Sequence, residues 1–202
     1  VSADYIRQQA ETVLADLPVA AIKLGMLGSG AITAVIADIL CAHPNIPVVL
    51  DPVLVANSGG NLAADDLTKG LLQLFPLCTL ITPNSVEARR LTGTDNLPDT
   101  IPRLQAMGAL HILLKGGHEP GRFIHNQLFG SSGLIQESHT PRLEGEYHGS
   151  GCTLASSIAS GLAAGLALPQ AVQQAESYIE KALKHADRPR SSGQFLPRRI
   201  GV

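Results

Sequence analysis

The chain has 202 residues, of which 45% are apolar, 16% charged and 3% aromatic, with a formal net charge of −2. This balance excludes a disordered chain, which lacks the apolar content, and a polyanion binder, which needs a basic surplus, so nucleic acid is not an expected partner. No stretch approaches the roughly eighteen uninterrupted apolar residues of a membrane span, and no basic-then-apolar leader opens the sequence, so a cytoplasmic protein without a membrane partner is expected. Residues 1–202 fit one domain, since domains cluster at roughly 100–150 residues and often run longer in α/β folds. Cys41, Cys78 and Cys152 are isolated and odd in number, which argues against a disulfide framework or a zinc site and for a reducing compartment.

Residues 2–17 carry Ile6, Ala10, Val13, Leu14 and Leu17 near helical spacing, closed by Pro18, and predict an amphipathic helix. The sequence opens at Val1 with that helix already under way, the expectation for a fragment of a longer polypeptide. Short apolar runs at 20–24, 46–50, 78–81 and 110–114 have strand length. Helical segments are predicted between them at 31–41, 65–75, 85–92 and 101–107, the last with Pro102 in its first turn. Strands alternating with helices imply parallel βαβ units, and Pro47-Val48-Val49-Leu50 reads as a strand buried on both faces, so the fold class is α/β. Residues 123–129 and 134–138 flank Gly130-Ser131-Ser132-Gly133 and predict an edge hairpin. Two helices follow, at 150–166 and 169–186, and residues 187–202 read as loop or tail.

Ligands of open parallel sheets bind beyond the carboxyl ends of the strands. The residues at those ends form a consistent set: Gly25-Met26, Asp51-Pro52, Thr82-Pro83-Asn84 with Glu87 one turn on, and Lys115-Gly116-Gly117-His118. Beside them belongs His148-Gly149-Ser150-Gly151-Cys152-Thr153, where two glycines free the backbone to turn successive N–H groups into one concavity at a helix start. Such a corner binds anions and suits phosphoryl transfer, and a helix N-terminus favours the thiolate of Cys152. Each feature also has a plain structural reading. The Gly-Ser-Gly-Cys stretch, continued by Ala155, Ala159, Gly161 and Gly165, suits a tight turn before a close-packed helix; Asp51 before Pro52 suits a turn; Glu87 suits a solvated helix; Lys115 can extend to water. His111, His118 and His125 are spaced by seven but fall on a strand, a loop and another strand, so they are not expected to converge on a metal.

On the stretches Lys23-Leu24-Gly25-Met26-Leu27, Leu50-Asp51-Pro52-Val53, Ile81-Thr82-Pro83-Asn84 through Glu87, Lys115-Gly116-Gly117-His118 and His148 through Thr153, the chain resembles the ribokinase-like superfamily. It most resembles the hydroxymethylpyrimidine/phosphomethylpyrimidine kinase branch of thiamine biosynthesis, which carries Cys where most sugar kinases carry Asp. The resemblance implies a three-layer αβα sandwich with a mostly parallel sheet, a homodimer, and ATP with Mg2+ as cofactors. It implies an anion hole of Gly149, Ser150 and Gly151, and Cys152 deprotonating or positioning the attacking hydroxyl. Lys115 and Asn84 would serve the ATP phosphates, Asp51 and Glu87 the magnesium and its waters, and Met26 and Val53 the pyrimidine. The resemblance starts near residue 20, and the family's opening strand and glycine-rich loop have no counterpart, so part of the family domain is missing. The alternatives are a pyridoxal kinase of the same cysteine-bearing type, a more distant hydroxyethylthiazole kinase, a non-catalytic nucleotide-binding fragment, and a cysteine hydrolase with His148 as base, which lacks an orienting third group.

Overall fold

The computed structural model describes residues 1–54, 65–189 and 193–201. Helix α1 (Ala3–Asp16) is capped by Ser2, whose hydroxyl accepts from the Tyr5 N–H, and is tied to α2 (Gly30–Ala42) by Arg7 and Asp38, 2.6 Å apart. Strands β1 (Ile22–Leu24), β2 (Val48–Leu50), β3 (Leu80–Ile81) and β4 (Ile112–Lys115) are parallel neighbours in chain order. The predicted hairpin follows as β5 (Phe123–Gly130) and β6 (Gly133–Pro141), antiparallel and outermost, which completes a six-stranded sheet ordered β1 to β6.

Strand alternation divides the apolar side chains between the two faces of this sheet. Val48, Leu50, Ile81, Ile112 and Leu114 pack with Leu40 of α2, Leu67 and Leu71 of α3 (Asp65–Leu74), Ala88 and Leu91 of α4 (Ser85–Thr92), and Leu104 of α5 (Leu97–Ala106). Val49, Leu80, Leu113 and Leu128 face the other way, against Leu154, Ala155 and Ile158 of α6 (Ser150–Ala163) and Ala171, Val172 and Ala175 of α7 (Leu168–Lys184). Helices thus cover both faces, in the three-layer αβα order.

Three details differ from the sequence reading. Strands β1 and β2 start two residues later than their apolar runs, because Pro47 has no N–H and offers only its carbonyl, to Ile22, while the Val48 N–H goes to the Thr79 hydroxyl. Helix α5 begins at Leu97 rather than 101, so Pro98 takes the first-turn place and Pro102 lies inside the helix, leaving the Pro98 carbonyl without its usual i+4 N–H donor. The described part of the tail is docked rather than free: Asp187 and Leu196 exchange backbone hydrogen bonds, the His148 N–H donates to the Phe195 carbonyl, and the Phe195 ring stacks on Tyr147. Residues 190–192 and 202 of that tail lie outside the described ones.

Candidate active site

The strand tips are stitched into one rim by hydrogen bonds that run one step past the regular ladder. The Asp51 N–H donates to the Leu24 carbonyl, Thr82 to Leu50 and Lys115 to Pro83, each at 2.9 Å. These bonds carry the end residues of β2, β3 and β4 to one level. Asp51, 2% exposed, accepts at Oδ1 from the Lys115 ammonium at 2.7 Å and from the Thr82 hydroxyl at 3.2 Å. A buried carboxylate needs such partners, and the ion pair supplies the main one.

The start of α6 sits directly over this pair. Gly149 has φ 81°, a left-handed conformation open to glycine, and no side chain caps the helix. The Thr153 N–H is taken by the Gly149 carbonyl, and the N–H groups of Ser150, Gly151 and Cys152 precede that first helical bond. Gly151 is helical and needs no special φ, contrary to the expectation for both glycines. Its requirement is space, since a Cβ there would lie 3.1 Å from the Lys115 ammonium and 3.8 Å from Asp51 Oδ2. The helix N-terminus, the lysine and the aspartate therefore converge on one point.

Cys152 is exposed on this corner, but its thiol is not acidified as a helix start alone implies. Desolvation at the sulfur and the Asp51 carboxylate push the thiol up, and Lys23 and Lys115 pull it only partway back. Lys23 is a residue the sequence reading left without a role. It lies on β1 with its ammonium 2.6 Å from where a Gly25 Cβ would stand, so Gly25 gives it room to reach the rim.

Glu87 is 5% exposed, not the solvated helical glutamate its position suggests. It forms a capping box with Asn84: the Asn84 side chain accepts from the Glu87 N–H at 2.9 Å, and Glu87 Oε2 accepts from the Asn84 N–H at 2.8 Å. Asn84 is thus turned onto α4 through its carbonyl oxygen and bridges to Lys115 through its backbone. Burial raises the Glu87 carboxyl to about 7, with Asp51 adding to the rise and Lys115 and the Asn84 N–H opposing it. Between the ordinary value of 4.5 and about 7 the folded protein holds this proton and the unfolded chain releases it, so apo stability falls as pH rises across that window. Glu87→Gln, with a chelator present, flattens this slope and gains about 3 kcal/mol at pH 8; urea unfolding at pH 5 and pH 8 measures it, and equal slopes in both proteins contradict it.

Arg142, which the sequence reading missed, holds the loop after β4. It donates to the carbonyls of Gly117 (2.6 Å), Glu119 (2.5 Å) and Gly121 (2.9 Å), and no local motif announces a partner so far upstream. His118 in that loop is pushed toward its neutral form by burial and by Lys115 and Arg142. Met26 is 62% exposed just beyond β1, and Val53 is half-buried after β2. On the other side of the corner, Cys152, Ser156, Ser160, Gln174, Tyr178 and Arg199 line a cleft of about 660 Å³. Arg199, from the docked tail, donates to the Thr153 hydroxyl at 3.1 Å.

The sequence model described as phosphomethylpyrimidine kinase matches residues 1–195. The hydroxymethylpyrimidine/phosphomethylpyrimidine kinase of Rhizobium meliloti is 37% identical over 196 residues, covering 93% of this chain and 73% of that protein. The thiamine biosynthesis bifunctional protein ThiED of Geobacter sulfurreducens is 37% identical over 188 residues, covering 90% of this chain, and the chain spans only 38% of that longer protein. Among solved structures, the ADP complex of Bacillus subtilis pyridoxal kinase superposes with a TM-score of 0.89 at 26% identity, covering 98% of this chain and 77% of that one, which places the fold among the ribokinase-like kinases. With residues 1–195 of the chain matched by the family pattern, the chain belongs to the phosphomethylpyrimidine kinase family.

Proposed function

We propose that the protein transfers the γ-phosphoryl group of ATP to the hydroxymethyl oxygen of 4-amino-5-hydroxymethyl-2-methylpyrimidine, and then phosphorylates the resulting monophosphate. The observation that carries this reading is the uncapped start of α6 above the Asp51–Lys115 pair, with Cys152 at its edge. A loose phosphoryl-transfer transition state spreads charge over equatorial oxygens, and fixed N–H groups aimed at them lower the barrier without reorganising. Ser150, Gly151 and Cys152 supply those N–H groups; Lys115 turns from Asp51 to the nucleotide phosphates. Because its thiol is pushed up, Cys152 keeps its proton at neutral pH, so its part is to orient the acceptor hydroxyl, whose proton passes late to an oxygen of the transferred phosphoryl group. The cleft beside Ser156 and Tyr178 accommodates the nucleoside, within the usual volume range of small-molecule sites.

Magnesium fits the residues present. Asp51 raises the proton affinity of Glu87 in a desolvated pocket, and a divalent cation relieves that repulsion while accepting oxygen donors only. Asp51 and Glu87 would hold the ion and its waters, and it would supply neutralisation of phosphate charge.

The likeness to a pyridoxal kinase carries a second reading, since pyridoxal also bears a hydroxymethyl group on a heteroaromatic ring. Competing the two alcohols in one ATP-consumption assay decides between them. The pyrimidine turning over faster is the expected result, and pyridoxal dominating the flux overturns the assignment. We also read the protein as a homodimer, which sedimentation at micromolar concentration tests by mass.

A further inference from the structure

The edge hairpin gathers a set of side chains that phosphoryl transfer does not use. His125 on β5 and His139 on β6 are directly opposed in register, and their rings meet edge to face with centroids 4.4 Å apart. Glu137 lies two residues before His139, hence on the same face of the ribbon, with Oε2 3.6 Å from His139 Nε2. All three are exposed, and one ligand atom from each falls within 4.8 Å of the others.

We propose that His125, Glu137 and His139 form a binding site for a late first-row transition-metal ion, of which Zn2+ is the representative. Two imidazoles and one carboxylate are a donor set suited to Zn2+, Ni2+ or Cu2+, whereas Mg2+ and Ca2+ take oxygen donors almost exclusively. Tetrahedral bonds of about 2.0–2.1 Å put neighbouring ligand atoms roughly 3.3 Å apart, so the His139–Glu137 separation of 3.6 Å is already close to what the ion requires. The His125 nitrogen closes the remaining gap by side-chain rotation alone, because directly opposed residues on antiparallel strands bring their Cβ atoms to about 5 Å.

The surroundings hold the frame. Gln127 donates to Glu137 Oε1 at 3.0 Å, fixing the carboxylate and leaving Oε2 toward His139, the supporting contact that metal carboxylates characteristically carry. On the reverse face, Asn126 (2.9 Å) and Ser138 (2.6 Å) both donate to Glu176 of α7, so each strand of the ribbon is pinned from behind. Backbone pairing of β5 to β4 and β6 completes the support. Ligands on strands held this way are better placed than ligands on a loop. Three protein ligands leave a fourth position for water or an exchangeable donor, and the ion would cross-link edge strand β6 to β5.

Titration of the tag-free protein with ZnCl2 by calorimetry, in millimolar Mg2+ and without nucleotide, tests the site independently of any kinase activity. One equivalent bound, with affinity lowered at least ~10-fold in His125→Ala and in His139→Ala and by about 10-fold in Gln127→Ala, is the expected result. Co2+ should give tetrahedral visible absorption that the two histidine variants lose, while circular dichroism confirms that they remain folded. His118→Ala and Cys152→Ala should retain the site. Absence of binding up to ~1 mM, unchanged affinity in the His125→Ala/His139→Ala double variant, or loss of the site in Cys152→Ala would each overturn the proposal.

Discussion

Cys152→Ala lowers kcat by about 10²–10⁴-fold, the range typical of removing a group that handles a proton or orients the nucleophile at the reacting centre. Nucleotide affinity stays within about two-fold, because the sulfur is proposed to act on the acceptor hydroxyl, in the transition state, and the anion corner is built from backbone N–H groups the substitution leaves in place. Cys152 is exposed, so the variant folds normally. Steady-state kinetics with the pyrimidine alcohol, alongside nucleotide titration of the same preparation, separate the two effects. An unchanged kcat contradicts the role given to the thiol. The thiol also predicts a direction with pH: since desolvation at the sulfur and Asp51 favour its protonated form, loss of turnover on Cys152 deprotonation sets in on the alkaline side of an ordinary cysteine.

Lys115→Met has the largest expected effect on stability. Asp51 is 2% exposed and Lys115 is its cationic partner at 2.7 Å, itself only 12% exposed. Removing one member of a buried pair leaves the other charge uncompensated and costs about 3–5 kcal/mol, although the Thr82 hydroxyl still donates to Oδ1. That is a large part of the roughly 5–15 kcal/mol that holds a typical protein folded. Adding Asp51→Asn to Lys115→Met removes the stranded charge and recovers most of the loss. A urea-unfolding double-mutant cycle at neutral pH measures the coupling, and additive losses contradict the account.

Where the chain carried local signals, the fold was legible. Residues 85–92 were read as a helix to the residue, and the structure shows why the ends are sharp: an Asn84–Glu87 capping box at the start and a left-handed Gly93 at the end. Strand existence and parallel order followed from apolar runs alternating with helices, whereas strand starts depended on which partner takes each N–H, as at Val48, and that is non-local. The convergence of Asp51, Lys115 and the start of α6 was legible because ligand chemistry in such sheets collects at strand tips. The state of each group was not. The burial that raises Glu87, the desolvation and the Asp51 charge that raise Cys152, the ammonium of Lys23 beside Gly25, and the three carbonyls held by Arg142 all depend on neighbours distant in sequence. The docking of the tail was hidden for the same reason, since Arg, Pro, Ser and Gly carry no periodicity and its anchors at Tyr147, Tyr178 and Thr153 lie on other elements.

The most direct measurement is a crystal structure of the protein soaked with a non-hydrolysable ATP analogue and magnesium. A terminal phosphate within hydrogen-bond distance of the N–H groups of Ser150, Gly151 and Cys152, with the Lys115 ammonium moved from Asp51 onto phosphate oxygens, is the outcome required if the mouth of α6 is where phosphoryl groups change hands. Phosphates settled away from those amides, with Lys115 still bonded to Asp51, would contradict it.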